Sequence, residues 1–220
     1  PMPTIVIASP KGGAGKSTTA VLLGTELAHE GVPVTMLDCD PNRSLTLWAG
    51  QSDLPEHIDV LSDVSEANIV RTIKAHDSDG QIVIVDLEGV ASRLVSRAIS
   101  QADLVLTPMR ATTLDATIGA RALQLIAEEE EALDRRIPHA VVFTMTKAIQ
   151  SKQHKGIEIS LREQAVDVID PPLLERAAFS GLFAFGGDLH SMPAQGNMIG
   201  ARDNARAFAM QVYRRLAGEG

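Results

Sequence analysis

Cysteine is nearly absent: the 220 residues contain one, Cys39. No internal disulfide can form, which excludes a small disulfide-stapled fold and fits a reducing compartment. Aromatic residues make up only 3% of the chain, which argues against a surface that stacks single-stranded bases. No apolar run reaches the ~20 residues that a membrane-spanning helix requires. The stretch Pro1 to Ser9 leads straight into a glycine loop and does not read as a secretory signal. Positive charge is also in deficit. A net charge of −8 excludes a protein coated in basic surface, although it leaves room for a local basic patch. The expectation is a cytoplasmic protein.

What the chain does have is a globular balance, with 45% hydrophobic and 22% charged residues. Its length suits one α/β domain, expected to span residues 1–220. Five short, nearly continuous apolar runs read as parallel strands buried on both faces: Thr4–Ala8, Val34–Leu37, Gln81–Val85, Leu104–Pro108 and Ala140–Phe143. Segments of helical period lie between and after them: Lys16–Glu30, Val64–His76, Ser92–Ser100, Leu114–Leu133, Glu158–Val168 and Ala201–Leu216. Strands alternating with helices imply right-handed crossovers, a mostly parallel twisted sheet and helices on both faces. Two stretches resist this pattern. Gln51–Asp63 is polar and turn-rich, with room for a short strand at Ile58–Leu61. Phe179–Gly200 is glycine-rich and weakly periodic, and reads as a loop, either beside a functional face or as an ordinary surface connection.

The most specific signal is Pro10-Lys11-Gly12-Gly13-Ala14-Gly15-Lys16-Ser17-Thr18, placed between an expected strand and an expected helix. That is the context of a phosphate-binding loop. Glycines let backbone approach a phosphate without a Cβ in the way, and the N–H groups at the helix start make a cradle of positive potential. Lys16 would meet the β and γ phosphates of a nucleotide, and the Ser17 hydroxyl would ligate magnesium. The strict motif has glycine where this chain has Pro10.

Two further strands end in acid. Leu37-Asp38-Cys39-Asp40-Pro41-Asn42 closes one of them, and ligands of open α/β sheets gather at such carboxyl ends. The same residues also make a good turn and helix start. Ile82-Val83-Ile84-Val85 runs into Asp86-Leu87-Glu88-Gly89, where Asp86 suits a carboxylate that holds magnesium directly or through water. Gly89 gives that loop freedom to respond to a γ-phosphate. Cys39, between two aspartates, reads as a buried strand-end thiol. The six histidines are scattered and suggest no zinc site.

The string Lys-Gly-Gly-x-Gly-Lys-Ser-Thr resembles the deviant Walker A motif of the ParA/MinD superfamily of P-loop ATPases. Softer matches cover most of the rest: Ser44-Leu45-Thr46-Leu47-Trp48, Thr107-Pro108-Met109 before Leu114-Asp115, and Glu175-Arg176-Ala177-Ala178-Phe179 before Phe185-Gly186-Gly187. Among subfamilies these are similar to small plasmid-type ParA proteins and to the Vir-system ATPases that assist DNA transfer.

The resemblance implies an ATP- and Mg2+-dependent enzyme that hydrolyses ATP slowly under stimulation by an adaptor or cargo protein. It further implies a homodimer sandwiching two ATP molecules, nonspecific DNA binding by that dimer, and a nucleoid-associated role in segregating a plasmid, chromosome region or other cargo. Lys11 would be the signature lysine that reaches the partner's phosphates. Asp40 would position the attacking water, with Glu88 as its competitor, and Asp38 would support magnesium or Lys16. Nucleotide contacts are expected from Lys11 through Thr18 (Gly12, Gly13, Ala14, Gly15, Lys16 and Ser17 between them). Catalysis is expected from Lys11, Lys16 and Asp40, and metal ligation from Ser17, Asp40 and Asp86. Adenine contacts are expected near Thr144, at Thr146 and at Lys147.

Candidate DNA contacts lie in residues 134–162, with Arg135, Arg136, Lys147, Lys152, Lys155 and Arg162, and in the last helix, with Arg202, Arg206, Arg214 and Arg215. Such residues can neutralise phosphates without reading sequence, or simply be solvated. Two alternatives stand beside this: a MinD-like membrane-associated ATPase, and an assembly or DNA-transfer accessory ATPase. The membrane reading needs a lipid-facing amphipathic helix. Phe208, Val212 and Leu216 have that spacing, but their expected role is to pack the last helix onto the domain.

Overall fold

The computed structural model describes residues 3–76, 80–89, 92–193 and 197–218. Seven strands form one parallel sheet: β1 Thr4–Ile7, β2 Val34–Cys39, β3 Ile58–Leu61, β4 Ile82–Leu87, β5 Leu104–Met109, β6 His139–Phe143 and β7 Asp167–Val168. Their order across the sheet is β3-β2-β4-β1-β5-β6-β7. β1 therefore lies between β4 and β5, where the winding reverses. The carboxyl ends of strands at such a reversal form a ready crevice for a ligand.

Side chains alternate across the strands and divide the core in two. Ile5, Ile7, Ile82 and Ile84 face one layer, built from α1 Lys16–His29, α2 Ser44–Gly50, α7 Ala177–Phe185 and α8 Asn197–Leu216. Val6, Val83, Val85 and Leu87 face the other, built from α3 Ile69–His76, α4 Arg93–Ile99 and α5 Thr113–Leu133. A smaller cluster joins α5 and α6 Lys152–Glu163 to the β6–β7 edge through Phe143, Leu161 and Val168. Helices thus cover both faces, as expected of the α/β class.

Helix α1 is buried almost all round, from Thr19 to Ala28, because it is covered by α8 and α2 as well as by the sheet. A helix enclosed in this way has little need of a polar face. The largest fully buried side chains include Trp48 and Phe208, both in the α1 layer. Each contributes roughly 1.5–3 kcal/mol by leaving water.

Several boundaries differ from expectation. β2 and β4 run on through Asp38-Cys39 and Asp86-Leu87, so the acids lie within strands. The expected helix Glu158–Val168 starts earlier, at Lys152, where Ser151 accepts a hydrogen bond from the His154 N–H. It stops at Glu163, and β7 follows. Helix α3 begins at Ile69 rather than Val64. The segment read as a loop, 179–200, contains most of α7 and the first turn of α8. Glycines within and just after the Phe-Ser-Gly-Leu-Phe-Ala-Phe run hide a helix that buries Phe179 and Leu182.

Candidate phosphate and metal site

The glycine loop connects β1 to α1 at the winding reversal. Gly15 immediately precedes the helix with φ at 89°, and a Cβ there would come within 3.3 Å of the Thr144 side chain. Only glycine meets both conditions without strain. The Thr144 hydroxyl also donates to the Ala14 carbonyl at 2.8 Å, so the end of β6 braces the loop from behind. No side chain caps α1, and its first turn carries no acid. The orphan N–H groups there are left for an anion.

A cavity of about 270 Å³ opens in front of this loop. Gly12, Gly13, Gly15, Lys16, Ser17 and Thr18 form one wall; Asp40, Asn42, Ser44, Met145 and Phe183 form the rest. Lys16 is buried at the helix start. The Ser17 hydroxyl donates to Asp86 Oδ2 at 2.6 Å. Asp86 is fully buried, and its other oxygen, Oδ1, has no hydrogen-bond partner. Burial pushes its carboxyl up to about 7, and the nearby charges of Asp38 and Asp40 act in the same direction. The Ser17 hydrogen bond and the Lys16 ammonium oppose them. A buried, underbonded carboxylate oxygen is costly unless something completes it.

A hard cation fits here. Ser17 and Asp86 offer two oxygens on adjacent elements, and Asp40 lies on the same cavity. Among the described residues, no cluster of three or more His, Cys, Asp or Glu side chains is arranged to hold a metal by itself. Magnesium bound at Ser17 and Asp86 would therefore complete its shell with water and phosphate oxygens, which is its usual habit.

The first acidic turn has a structural side as well. Asp40 accepts from the Asn42 backbone N–H at 2.9 Å and from its side-chain amide at 2.8 Å, closing a local turn. Asp38, opposite Asp86 in the β2–β4 register, turns its carboxylate toward α2. It accepts from the Thr46 N–H at 2.8 Å and the Thr46 hydroxyl at 2.6 Å. Asp38 thus caps α2 from the neighbouring strand. Between the two acids, burial pushes the Cys39 thiol up to about 12. Glu88 is half-buried on a neighbouring depression shared with Asp38 and Asp40. Gly89 lies against the backbone of Ser9, Lys11 and Gly12.

Lys11 is not on the cavity wall. Its ammonium is 2.7 Å from Asp115 Oδ1, at the start of α5. Asp115 is itself buried and hydrogen-bonded to Thr112, the residue that caps α5. Burial works against its ionisation, but the hydrogen bonds of Lys11 and Thr112 and the charges of Lys11 and Arg110 hold its carboxyl below the usual range.

Comparison with known proteins bears on what this cavity is. The family model described as VirC1 protein matches residues 2–212. Protein ParA of Rhizobium radiobacter is 69% identical over 217 residues, which cover 98% of each chain. The chain belongs to the VirC1 family of ParA/MinD-type P-loop ATPases. Its fold is shared by Cyanothece McdA in the apo form, with a TM-score of 0.76, 21% identity and 97% and 99% of the two chains covered. It is also shared by Mycobacterium smegmatis cobyrinic acid a,c-diamide synthase bound to an ATP analogue and magnesium, with a TM-score of 0.74, 15% identity and 100% and 98% covered. Those two likenesses concern the fold alone, since one scaffold hosts many activities.

Other residues singled out in the sequence fall differently around the ParA/MinD-type site. Thr146 is buried, and both its N–H and its hydroxyl face the Leu173 carbonyl, at 3.2 and 3.4 Å. Lys147 is exposed beyond it. The residues of these loops that do line the cavity are Met145 and, from α7, Phe183. Phe183 was overlooked because its helix was read as a loop; the i, i+3, i+4 spacing of Phe179, Leu182 and Phe183 was the available signal.

Most of the basic residues proposed for DNA are already engaged within the chain. Arg135 donates to the Ser100 and Ala102 carbonyls. Arg162 pairs with Glu158 at 2.9 Å, Arg206 with Glu30 at 2.7 Å, and Arg215 with Asp167 at 2.5 Å. Arg202 donates to the Leu189 and Met192 carbonyls. Exposed Lys147, Lys152 and Lys155 follow the carboxyl end of β6, on the same edge of the sheet as the cavity. On α8, Phe208 and Val212 are fully buried and Leu216 packs against the same core. No helix among the described residues is long and apolar enough to cross a membrane.

Proposed function

We propose that this chain is a partition ATPase that binds Mg-ATP in the glycine-loop cavity, dimerises over it and hydrolyses it slowly. The observation that carries the nucleotide reading is Asp86: a buried carboxylate joined to Ser17 by one oxygen, with the other unsatisfied beside Lys16. The uncapped start of α1 and Lys16 would bind the phosphates, and Ser17 and Asp86 would hold magnesium. Magnesium, when bound, neutralises charge on the transferred phosphoryl group. Asp40 would orient the attacking water, with Glu88 the alternative. The base would lie toward Met145 and Phe183, with Thr146 and Lys147 behind them.

The position of Lys11 supports the dimer. Its side chain is a third exposed and is held by Asp115 outside its own chain's cavity, so it is available to a second copy. Nonspecific DNA binding would use Lys147, Lys152 and Lys155, exposed lysines on the cavity edge with no partner among the described residues. An adaptor protein would stimulate hydrolysis and release the dimer, moving a plasmid or other cargo over the nucleoid in the cytoplasm. The identity with Rhizobium radiobacter ParA supports this reading. The VirC1 match keeps a second reading in view, an accessory ATPase of DNA transfer. The buried apolar face of α8 removes the main support for a MinD-like lipid anchor.

Size-exclusion chromatography with a nonhydrolysable ATP analogue, followed by DNA binding over a salt series, tests the proposal. Wild type should become a dimer and bind DNA only with the analogue. Lys11→Ala should bind ADP yet stay monomeric. Replacing Lys152 and Lys155 by alanine removes four lysines from the dimer and should lower the salt slope by about 4. A dimer unaffected by Lys11→Ala contradicts the sandwich. In turnover assays Asp40→Ala should hold ATP without hydrolysing it; if Glu88→Ala does so instead, the water belongs to Glu88.

A further inference from the structure

At the end of α1 remote from the phosphate loop, two histidine–carboxylate pairs touch. His190 Nε2 lies 3.0 Å from Glu26 Oε1, and His29 Nε2 lies 3.0 Å from Asp188 Oδ2. The two imidazole rings are 4.0 Å apart. Glu26 and His29 belong to α1, whereas Asp188 and His190 belong to the short segment between α7 and α8. The proposed nucleotide chemistry uses none of these groups.

The segment is tied down on every side. Gly187 accepts a hydrogen bond from Trp48 Nε1 on α2 at 2.8 Å, and its N–H donates to Ser52 at 2.8 Å. A Cβ on Gly186 would lie 2.2 Å from the Gln51 carbonyl oxygen, and φ there is 73°. Asp188 Oδ1 receives the N–H groups of His190 and Ser191. From α8, Arg202 holds the Leu189 and Met192 carbonyls. On its other side the segment follows directly from α7, whose Phe183 lines the phosphate cavity.

We infer that residues 186–193 form a proton-operated clasp: with His190 neutral it ties α1, α2 and α8 together, and protonation of His190 releases it and loosens the α7 wall of the phosphate cavity. The cavity half of this statement rests on the proposed nucleotide site; the clasp itself does not.

Charge around His190 sets the direction. Glu26, His29 and Glu30 face it from α1, Asp188 from its own segment, and Arg202 and Arg206 from α8. Burial lowers its basicity, and Arg202 and Arg206 lower it further, against Asp188 and Glu30. Protonation therefore falls below the ordinary histidine value near 6.5. Burial pushes Glu26 the other way, up to about 7. On acidification Glu26 takes a proton first and remains hydrogen-bonded to a neutral imidazole. His190 then becomes a partly buried cation whose repulsion by two arginines is offset only in part by Asp188 and Glu30, and its attraction to the Glu26 carboxylate is lost.

Trp48 is the chain's one tryptophan, so its emission reports the Gly187 contact directly. In nucleotide-free full-length protein taken from pH 8.0 to 5.0, wild type should show a red shift with a midpoint below 6.5. Glu26→Gln should keep that transition and His190→Gln should lose it, with far-UV circular dichroism unchanged. A flat wild-type curve, or the same transition in His190→Gln, overturns the clasp. Should His190→Gln fail to fold, NMR titration of the wild-type His190 ring decides: its midpoint must coincide with the Trp48 transition, and a mismatch overturns the assignment. For the cavity half, Mg-ADP affinity should weaken by about fivefold between pH 7.0 and 5.5 relative to His190→Gln, at the low end of typical coupling. Equal pH dependence in both proteins overturns that half. Absence of ADP binding at any pH refutes the phosphate site itself, while the Trp48 transition still decides the clasp.

Discussion

The two ends of α1 make opposite use of buried charge. At its start, Lys16, Ser17 and Asp86 converge with one carboxylate oxygen unsatisfied and a helix start uncapped. At its end, buried Glu26 and Asp188 are each paired with a partly exposed histidine, His190 and His29, and Glu30 is matched by Arg206. Unmet polar capacity costs stability, so a fold retains it where a ligand completes it. Met polar capacity holds elements in place and can respond to protons. One helix connects the proposed phosphate site to a joint closed by histidine–carboxylate pairs.

The comparison can be broken or sharpened by substitution. The largest effect is expected in the packed core around α1, where Phe208→Ala should cost about 3–5 kcal/mol in denaturant unfolding by leaving a cavity. Asp86→Asn should do the reverse at the open end. Removing a buried, underbonded charge should raise unfolding stability by about 1–3 kcal/mol while abolishing magnesium-dependent nucleotide binding. A destabilised Asp86→Asn would mean that the carboxylate is already satisfied.

Glu26→Gln should change the pH dependence of unfolding. Glu26 is raised to about 7 in the folded chain from an ordinary 4.5, so the folded state holds the extra proton in that window. Its contribution to stability is complete below pH 4.5 and falls away as pH rises to 7. Glutamine should remove that fall, a gain on the order of 2 kcal/mol at pH 8; parallel curves for the two proteins would contradict the assignment. The smallest effect belongs to Arg162→Ala on the surface of α6. Its pair with Glu158 is half exposed and should contribute under about 1 kcal/mol to unfolding stability, less in high salt.

How much of this was legible in the sequence depended on the range of the interaction. The strands of the sheet centre and the glycine loop follow from local pattern: apolar runs of strand length, then glycines and lysine at fixed spacing before a helix. The short strand at Ile58–Leu61 fitted for the same reason. Helix α7 did not, because the helical spacing of Phe179, Leu182 and Phe183 is blurred by further apolar residues and by the glycines within and after the run. β7 is two residues long and exists only because β6 lies beside it.

Side-chain partners were the least legible. Lys11 and Asp115 are 104 positions apart, and Glu26 and His190 are 164 apart. Neither pairing leaves a mark on local sequence. Asp38 teaches a related lesson. Its position at a strand end suggested a supporting role near magnesium or Lys16, and the fold turns its carboxylate toward Thr46, eight residues on. Of the basic residues of α8 expected to meet DNA, Arg202, Arg206 and Arg215 also have partners within the chain that local sequence does not reveal.

The central claim is that the start of α1 is the end that waits for a nucleotide. Thermal unfolding of wild type and Lys16→Ala, each with and without Mg-ADP near 100 times the wild-type Kd, tests it most directly. The account predicts a rise of roughly 5–10 °C for wild type, from ~2.7 kcal/mol of linkage, and none for Lys16→Ala. An equal rise in both proteins, or no rise in wild type, would contradict it.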